Sequence, residues 1–90
     1  MQFILIEGNL INTRDVYSIR KEDNNVYSIF KKEDNKLFLI HVSGVHVSAT
    51  YTYQTEEERD FAFNLIQDDI KYGKNLIIVP KDVKDTEIIL

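Results

Sequence analysis

The sequence contains no cysteine, one proline and three glycines in 90 residues. Without cysteine there are no disulfides, no thiolate chemistry and no cysteine-based metal sites, a composition compatible with a reducing cytosol. With so little glycine there is no glycine-rich phosphate loop, and neither a nucleophile-elbow pattern nor an HExxH segment occurs. Long hydrophobic runs are missing as well. Phe3–Ile6 reads FILI, but no basic segment precedes it and the polar Glu7-Gly8-Asn9 follows at once. That run is too short for a secretory signal and far too short to span a bilayer, so the expectation is a cytoplasmic protein with no membrane partner.

Clustered positive charge is also lacking. The net charge is −4 and the pI is near 5.0, and Arg20-Lys21 and Lys31-Lys32 each stand next to an acidic pair. Their fields largely cancel, which argues against a nucleic-acid partner. The chain is not acidic enough to imitate DNA either. What remains, 43% hydrophobic and 29% charged residues, is the composition of an ordinary globular protein. Its length suits one domain, residues 1–90, built on one modest core.

The chain partly repeats itself. VYSI stands at Val16–Ile19 and again at Val26–Ile29, and KEDN stands at Lys21–Asn24 and again at Lys32–Asn35. Each VYSI has high β-propensity and runs into a charged, asparagine-containing segment of the kind that favours turns. Strand, polar turn and strand in quick succession predict consecutive antiparallel hairpins, and two copies are too few for a solenoid. Upstream, Glu7-Gly8-Asn9 between two apolar stretches predicts a tight opening hairpin with positive φ at glycine or asparagine. Thr13-Arg14-Asp15 reads as a turn into the first VYSI.

A bend at Ser43-Gly44 would set Val42 opposite Val45, His41 opposite His46, Ile40 opposite Val47 and Phe38 opposite Ala49. One face then collects Phe38, Ile40, Val42, Val45, Val47, Ala49 and Tyr51, and the other Leu37, Leu39, His41, His46, Ser48, Thr50 and Thr52. After Tyr53 the period changes. Thr55 and Glu58 form a capping-box pattern, and Phe61, Ala62, Leu65, Ile66 and Ile70 recur at helical spacing up to the Gly73 stop. Leu76–Val79, closed by Pro80, reads as a strand buried on both faces. The last residues, Ile88-Ile89-Leu90, suggest a strand that docks on this chain or another. The predicted fold is α+β: a mainly antiparallel sheet of five to seven short strands, packed by one major helix between Glu56 and Tyr72.

Candidate sites are few. His41 and His46, opposite each other, form a cross-strand pair whose two rings would repel when charged. Zinc needs at least three protein ligands, and Ser48 and Thr50 are poor ones, so no metal and no cofactor is assigned. Asp69, beside the apolar stripe, is expected to overhang the sheet and reach solvent or a lysine. Tyr17, Tyr27, Tyr51 and Tyr53 suit strands and core edges better than a base-stacking platform, given the negative charge. Nothing assembles a catalytic set, so an enzyme is not expected. The feature that points to function is an unbalanced sheet. If the helix covers the Phe38–Val47 face, Leu37 and Leu39, joined by Ile29 or Phe30 according to the Glu33–Asn35 turn, are left in need of a cover. The expectation is a protein-binding module of accessory or inhibitory type, contacting a foreign protein or a second copy through Leu37, Leu39, Ile88, Ile89 and Leu90. The alternative is a small-ligand binder using His41, His46, Ser48, Thr50 and Thr52 as a polar wall at a dimer seam, with a concave pocket beside it.

In outline, LINTRDVYSI at Leu10–Ile19 and TEEERDFAFNLI at Thr55–Ile66 resemble segments of small uncharacterised domains common in bacteria and their phages. The resemblance spans roughly Leu10 to Ile70 and rests on hydrophobic pattern and a helix cap. The VHVSATYTY strand and the LIIVP–EIIL extension depart from it. It implies a sheet with one packed helix and carries no active residues to transfer. Abundant Lys, Asn and Ile suit an AT-rich or phage genome.

Overall fold

The computed structural model describes residues 1–30 and 32–80, with the side chains of 26–28 and 33–35 outside the description. The Ile88–Leu90 tail lies outside the described residues. The fold is α+β, with six strands in two three-stranded sheets and one α-helix. β1 (Phe3–Ile6) and β2 (Asn9–Asn12) form a hairpin across the two-residue loop Glu7-Gly8, whose φ values of 47° and 81° match the twist of the flanking strands. The Asn12 side chain accepts from the Arg14 amide at 3.1 Å and opens a 3-10 turn, Thr13–Asp15, that leads into β3 (Val16–Ser28). β4 (Glu33–Gly44) and β5 (Val47–Tyr53) complete an antiparallel sheet in the order β3-β4-β5. The helix α1 (Glu56–Lys71) follows, and β6 (Leu76–Val79) returns to lie parallel to β1, giving the order β2-β1-β6.

Three expectations change. First, the segment Lys21–Asn24 is no turn, and one 13-residue strand takes in the first VYSI and all of the second but Ile29. Its charged middle stays extended because the side chains find partners on both faces: Lys21 meets Asp60 and Asp23 meets Arg59, while Arg20 meets Glu22. The chain turns only at the second repeat, since Ser28 lies opposite Glu33. Second, the β4–β5 bend falls at Val45-His46, with Gly44 opposite Val47 and Val42 opposite Ala49. His46 takes up the positive φ of 59°. Third, β6 is buried on one face only, because it is an edge strand with the core on one side.

Gly44 explains the displaced bend. A side chain there would overlap the Asp15 carbonyl oxygen and come within 2.8 Å of the Val16 Cα. The glycine is used for close approach of the incoming β3 backbone, and the next residue, Val45, donates its amide to Asp15 O at 2.8 Å.

The helix begins as the sequence predicts, with the Thr55 hydroxyl accepting the Glu58 amide at 3.1 Å. It ends in a Schellman motif: Lys74 N donates to Asp69 O and Gly73 N to Ile70 O, each at 3.1 Å, with Gly73 at φ 75°. Asp69 meets Lys74 at 3.5 Å, the lysine contact expected of an overhanging last turn. Four of the five expected stripe residues face the core, Ala62 and Ile66 within it and Leu65 and Ile70 packed against it. Arg59, Ala62 and Ile66 are buried and Phe63 packs beside them, whereas Phe61 points to solvent. One core results, in which Ile4, Ile6 and Ile77 of the first sheet meet Ile40, Val42 and Tyr51 of the second around Ala62 and Ile66.

Gly44→Ala is expected to destabilise the fold by about 3 kcal/mol, because the obstacle is backbone that cannot rotate away. Urea denaturation would show this as a lowered midpoint at unchanged slope.

Candidate functional site

One helix serves both sheets, touching β6 on one side and β3, β4 and β5 on the other. Each sheet therefore has an inner face against the helix and an outer face without it. The two outer faces differ in chemistry.

On the β3-β4-β5 sheet the outer face is mostly polar. By register it carries Arg20 and Glu22 from β3, Leu37, Leu39, His41 and Ser43 from β4, and Ser48, Thr50 and Thr52 from β5. His41 Nδ1 lies 2.9 Å from the Thr50 hydroxyl, its direct cross-strand neighbour. The expected His41–His46 pair does not form, because His46 sits in the bend. Leu39, between Glu22 and Thr52, is only 5% exposed, and Leu37 is half-buried.

On the β2-β1-β6 sheet the outer face is apolar. Leu10, Leu5 and Ile78 form one cross-strand row, and Asn12, Phe3 and Leu76 form the next. Leu10, Leu76 and Ile78 are 60%, 48% and 62% exposed, and Phe3 and Leu5 are half-buried between them. The uncovered apolar area expected of an unbalanced sheet is thus present, but on the smaller sheet. FILI and LIIV held the signal: two all-apolar strands place side chains on both faces, and one helix covers only one of them.

A second exposed apolar group lies at the end of the β3–β4 hairpin. β5 stops at Tyr53, opposite Phe38, so the strands run on as a two-stranded arm beyond that point. At its tip Ile29 and Phe30 are 78% and 98% exposed.

Between the helix and the start of β3 runs a cleft of about 450 Å³, lined by Ile4, Val16, Ile19, Phe63, Ile66 and Ile70, with Gln2, Thr13 and Gln67 as polar members. None of His41, His46, Ser48, Thr50 or Thr52 lines it. Gln2 fixes one end by donating to Ile70 O at 3.1 Å.

The junction of helix and sheet is held by Arg59, which is 4% exposed. Its guanidinium donates to Asp23 at 2.6 Å, Asp60 at 2.7 Å and the Glu22 carbonyl at 3.0 Å, and it lies 5.5 Å from the centre of the Phe38 ring. Lys36 adds to the cluster, 3.5 Å from Asp23. A buried guanidinium with its donors used in this way is a positioning device. Sequence reasoning missed it, although Arg59 stands three residues before Ala62 and seven before Ile66, on the buried stripe. The second sheet's aromatics are equally structural. Burial, with Glu7 and Tyr51 nearby, pushes the Tyr53 hydroxyl up to about 12.

Among the described residues no group of three or more His, Cys, Asp or Glu side chains is placed to hold a metal ion, and no helix is long and apolar enough to cross a membrane. No protein-family model matches the sequence, and no curated protein or solved structure is detectably similar to it.

The Arg59 hydrogen bond is the main cause holding the Asp23 carboxyl below its usual 3.8, against a smaller opposing effect of desolvation and with help from Lys36. A carboxyl depressed in the folded state adds stability above its unfolded pKa, and that stability is lost as pH falls through the folded value. Wild type should therefore weaken on acidification below about pH 4. Asp23→Asn should be less stable at neutral pH and show a shallower acid limb, read as urea midpoints between neutral pH and the acid range. Equal acid slopes in the two proteins would assign the acid sensitivity to other carboxylates.

Proposed function

We propose that the protein is a non-catalytic protein-binding module of accessory or inhibitory type, which occupies a partner's surface with the outer face of its β2-β1-β6 sheet. The observation that carries this reading is the contiguous set Phe3, Leu5, Leu10, Leu76 and Ile78, apolar side chains in register on a sheet face that no described residue of the helix covers. Contiguous apolar patches are uncommon on monomeric proteins and mark interaction surfaces. Asn12, level with Phe3 in the register, adds a half-buried polar group at one side of the patch. The partner is a protein with a complementary apolar surface. A host protein is the target class if the gene belongs to a phage or mobile element, the setting that the Lys, Asn and Ile content suits.

One observation favours a second reading, a small-ligand binder. The cleft beside α1 has a volume within the range of small-molecule sites and pairs apolar walls with the amides of Gln2 and Gln67. The polar wall of Ser48, Thr50 and Thr52 has no part in it.

The double variant Leu10→Ser, Ile78→Ser separates the two. Both positions are exposed, so the fold should survive with a melting temperature close to wild type. Immobilised wild type should retain a specific protein from a lysate of its native host, with affinity for that protein at least tenfold lower in the variant. Undiminished binding by the variant would overturn the reading. Saturable thermal stabilisation by a small molecule, abolished by Gln67→Trp on the exposed wall of the cleft and unaffected by the double variant, would favour the ligand reading instead.

A further inference from the structure

The long strand β3 is an edge strand: among the described residues it pairs with β4 alone. Thirteen residues make it an unusually extended edge, and an edge of that length is a template for another strand. Charged residues on an edge ordinarily oppose such pairing, and a run of one sign would do so here. Its central run, however, is Arg20-Lys21-Glu22-Asp23, two positive charges followed by two negative ones. Reversed about Lys21, Arg20 and Glu22 exchange places.

We infer that β3 pairs antiparallel with β3 of a second copy, about a two-fold axis through Lys21. The inference goes beyond the sheet-face reading above and uses a different surface. A two-fold axis normal to a continuous sheet preserves faces, so paired residues must share a face. With the axis at Lys21, Arg20 stands opposite the partner's Glu22 on the outer face, and Glu22 opposite the partner's Arg20. On the helix face, Lys21 stands opposite the partner's Lys21 across the axis, each lysine paired within its own chain with Asp60 at 3.6 Å and diagonal to the partner's Asp23. The outer face is the one that sets opposite charges directly against each other, twice about the axis.

Two local features are compatible with that ladder. The Arg20–Glu22 contact within the chain, 3.3 Å long, is solvent-exposed and is readily exchanged for the contact across the axis. The Glu22 carbonyl already accepts from Arg59, but a carbonyl oxygen has a second lone pair for a ladder amide. The same register carries Ile29 and Phe30 at the arm tip past the start of the partner's β3, to the level of the partner's Thr13. There Gln2 and Thr13 rim the cleft.

Sedimentation of the full chain over a concentration series tests this. Wild type should dimerise. Arg20→Glu sets like charges opposite each other twice in its homodimer, as does Glu22→Arg, and each should weaken association roughly tenfold. Mixing the two single variants should restore association, because both cross-axis contacts then pair opposite charges. The double variant R20E/E22R should restore it alone, and circular dichroism should show all four proteins folded. A wild type that stays monomeric, or single variants that dimerise as wild type does, would overturn the inference, as would a loss that mixing does not repair. Dimerisation abolished by Leu10→Ser, Ile78→Ser but untouched by R20E would also overturn it, while leaving the sheet-face reading intact.

Discussion

A single 16-residue helix has to close the core of two sheets, and most of the structure follows from that shortage of cover. Ala62 and Ile66 at its centre reach Ile4, Ile6 and Ile77 on one side and Ile40, Val42 and Tyr51 on the other. Each sheet can bury only the side it turns toward the helix. For the β3-β4-β5 sheet the consequence is mild, because alternation puts serine, threonine, histidine and charged residues outward. For the β2-β1-β6 sheet it is severe. Its central strand and one of its edges are continuous apolar runs, so burying Ile4, Ile6, Ile77 and Val79 leaves Phe3, Leu5, Leu76 and Ile78 outside.

The helix is held at that junction by charge as well as by packing. Arg59 crosses from the helix to β3, and with its partners Asp23, Asp60 and the Glu22 carbonyl it is nearly fully buried. Such a site is sensitive in one direction: removing a partner strands a charge away from water, whereas the intact set adds modest net stability and a defined geometry. Lys21, with Asp60 and the Phe63 ring 5.3 Å away, repeats the arrangement one turn along. Helix orientation over β3, and with it the shape of the cleft, is fixed by these polar contacts. The aliphatic core alone would tolerate some sliding.

Much of this was legible in the residues. The helix, its Thr55 start and its Gly73 end are local signals that tertiary packing did not override. The faces of β4 and β5 were also legible despite a misplaced bend. Moving the bend from Ser43-Gly44 to Val45-His46 shifts the partners by four residues, an even number, so every side chain keeps its side. What could not be read locally depended on distant chain. Gly44 looked like a turn glycine because nothing nearby announces that the Asp15 backbone passes over it. Lys21–Asn24 looked like a turn because its charges have partners in a helix more than thirty residues away. The apolar outer face belongs to a sheet whose pairing joins Phe3 to Leu76, positions too far apart in the chain for a local pattern to connect. Leu37 and Leu39 were the expected contacts; Leu39 is already buried within the chain.

The parallel pairing of β1 with β6 ties Phe3–Ile6 to Leu76–Val79, far along the chain. Until Leu76–Val79 has been made, the β1–β2 hairpin lacks its second neighbour, and the β1 edge that β6 will pair stays open. Contacts so distant along the chain close slowly, and unsatisfied strands of this kind attract other chains while they wait. A pause in translation before Leu76 would therefore lengthen the time during which that edge is open to a strand of another chain.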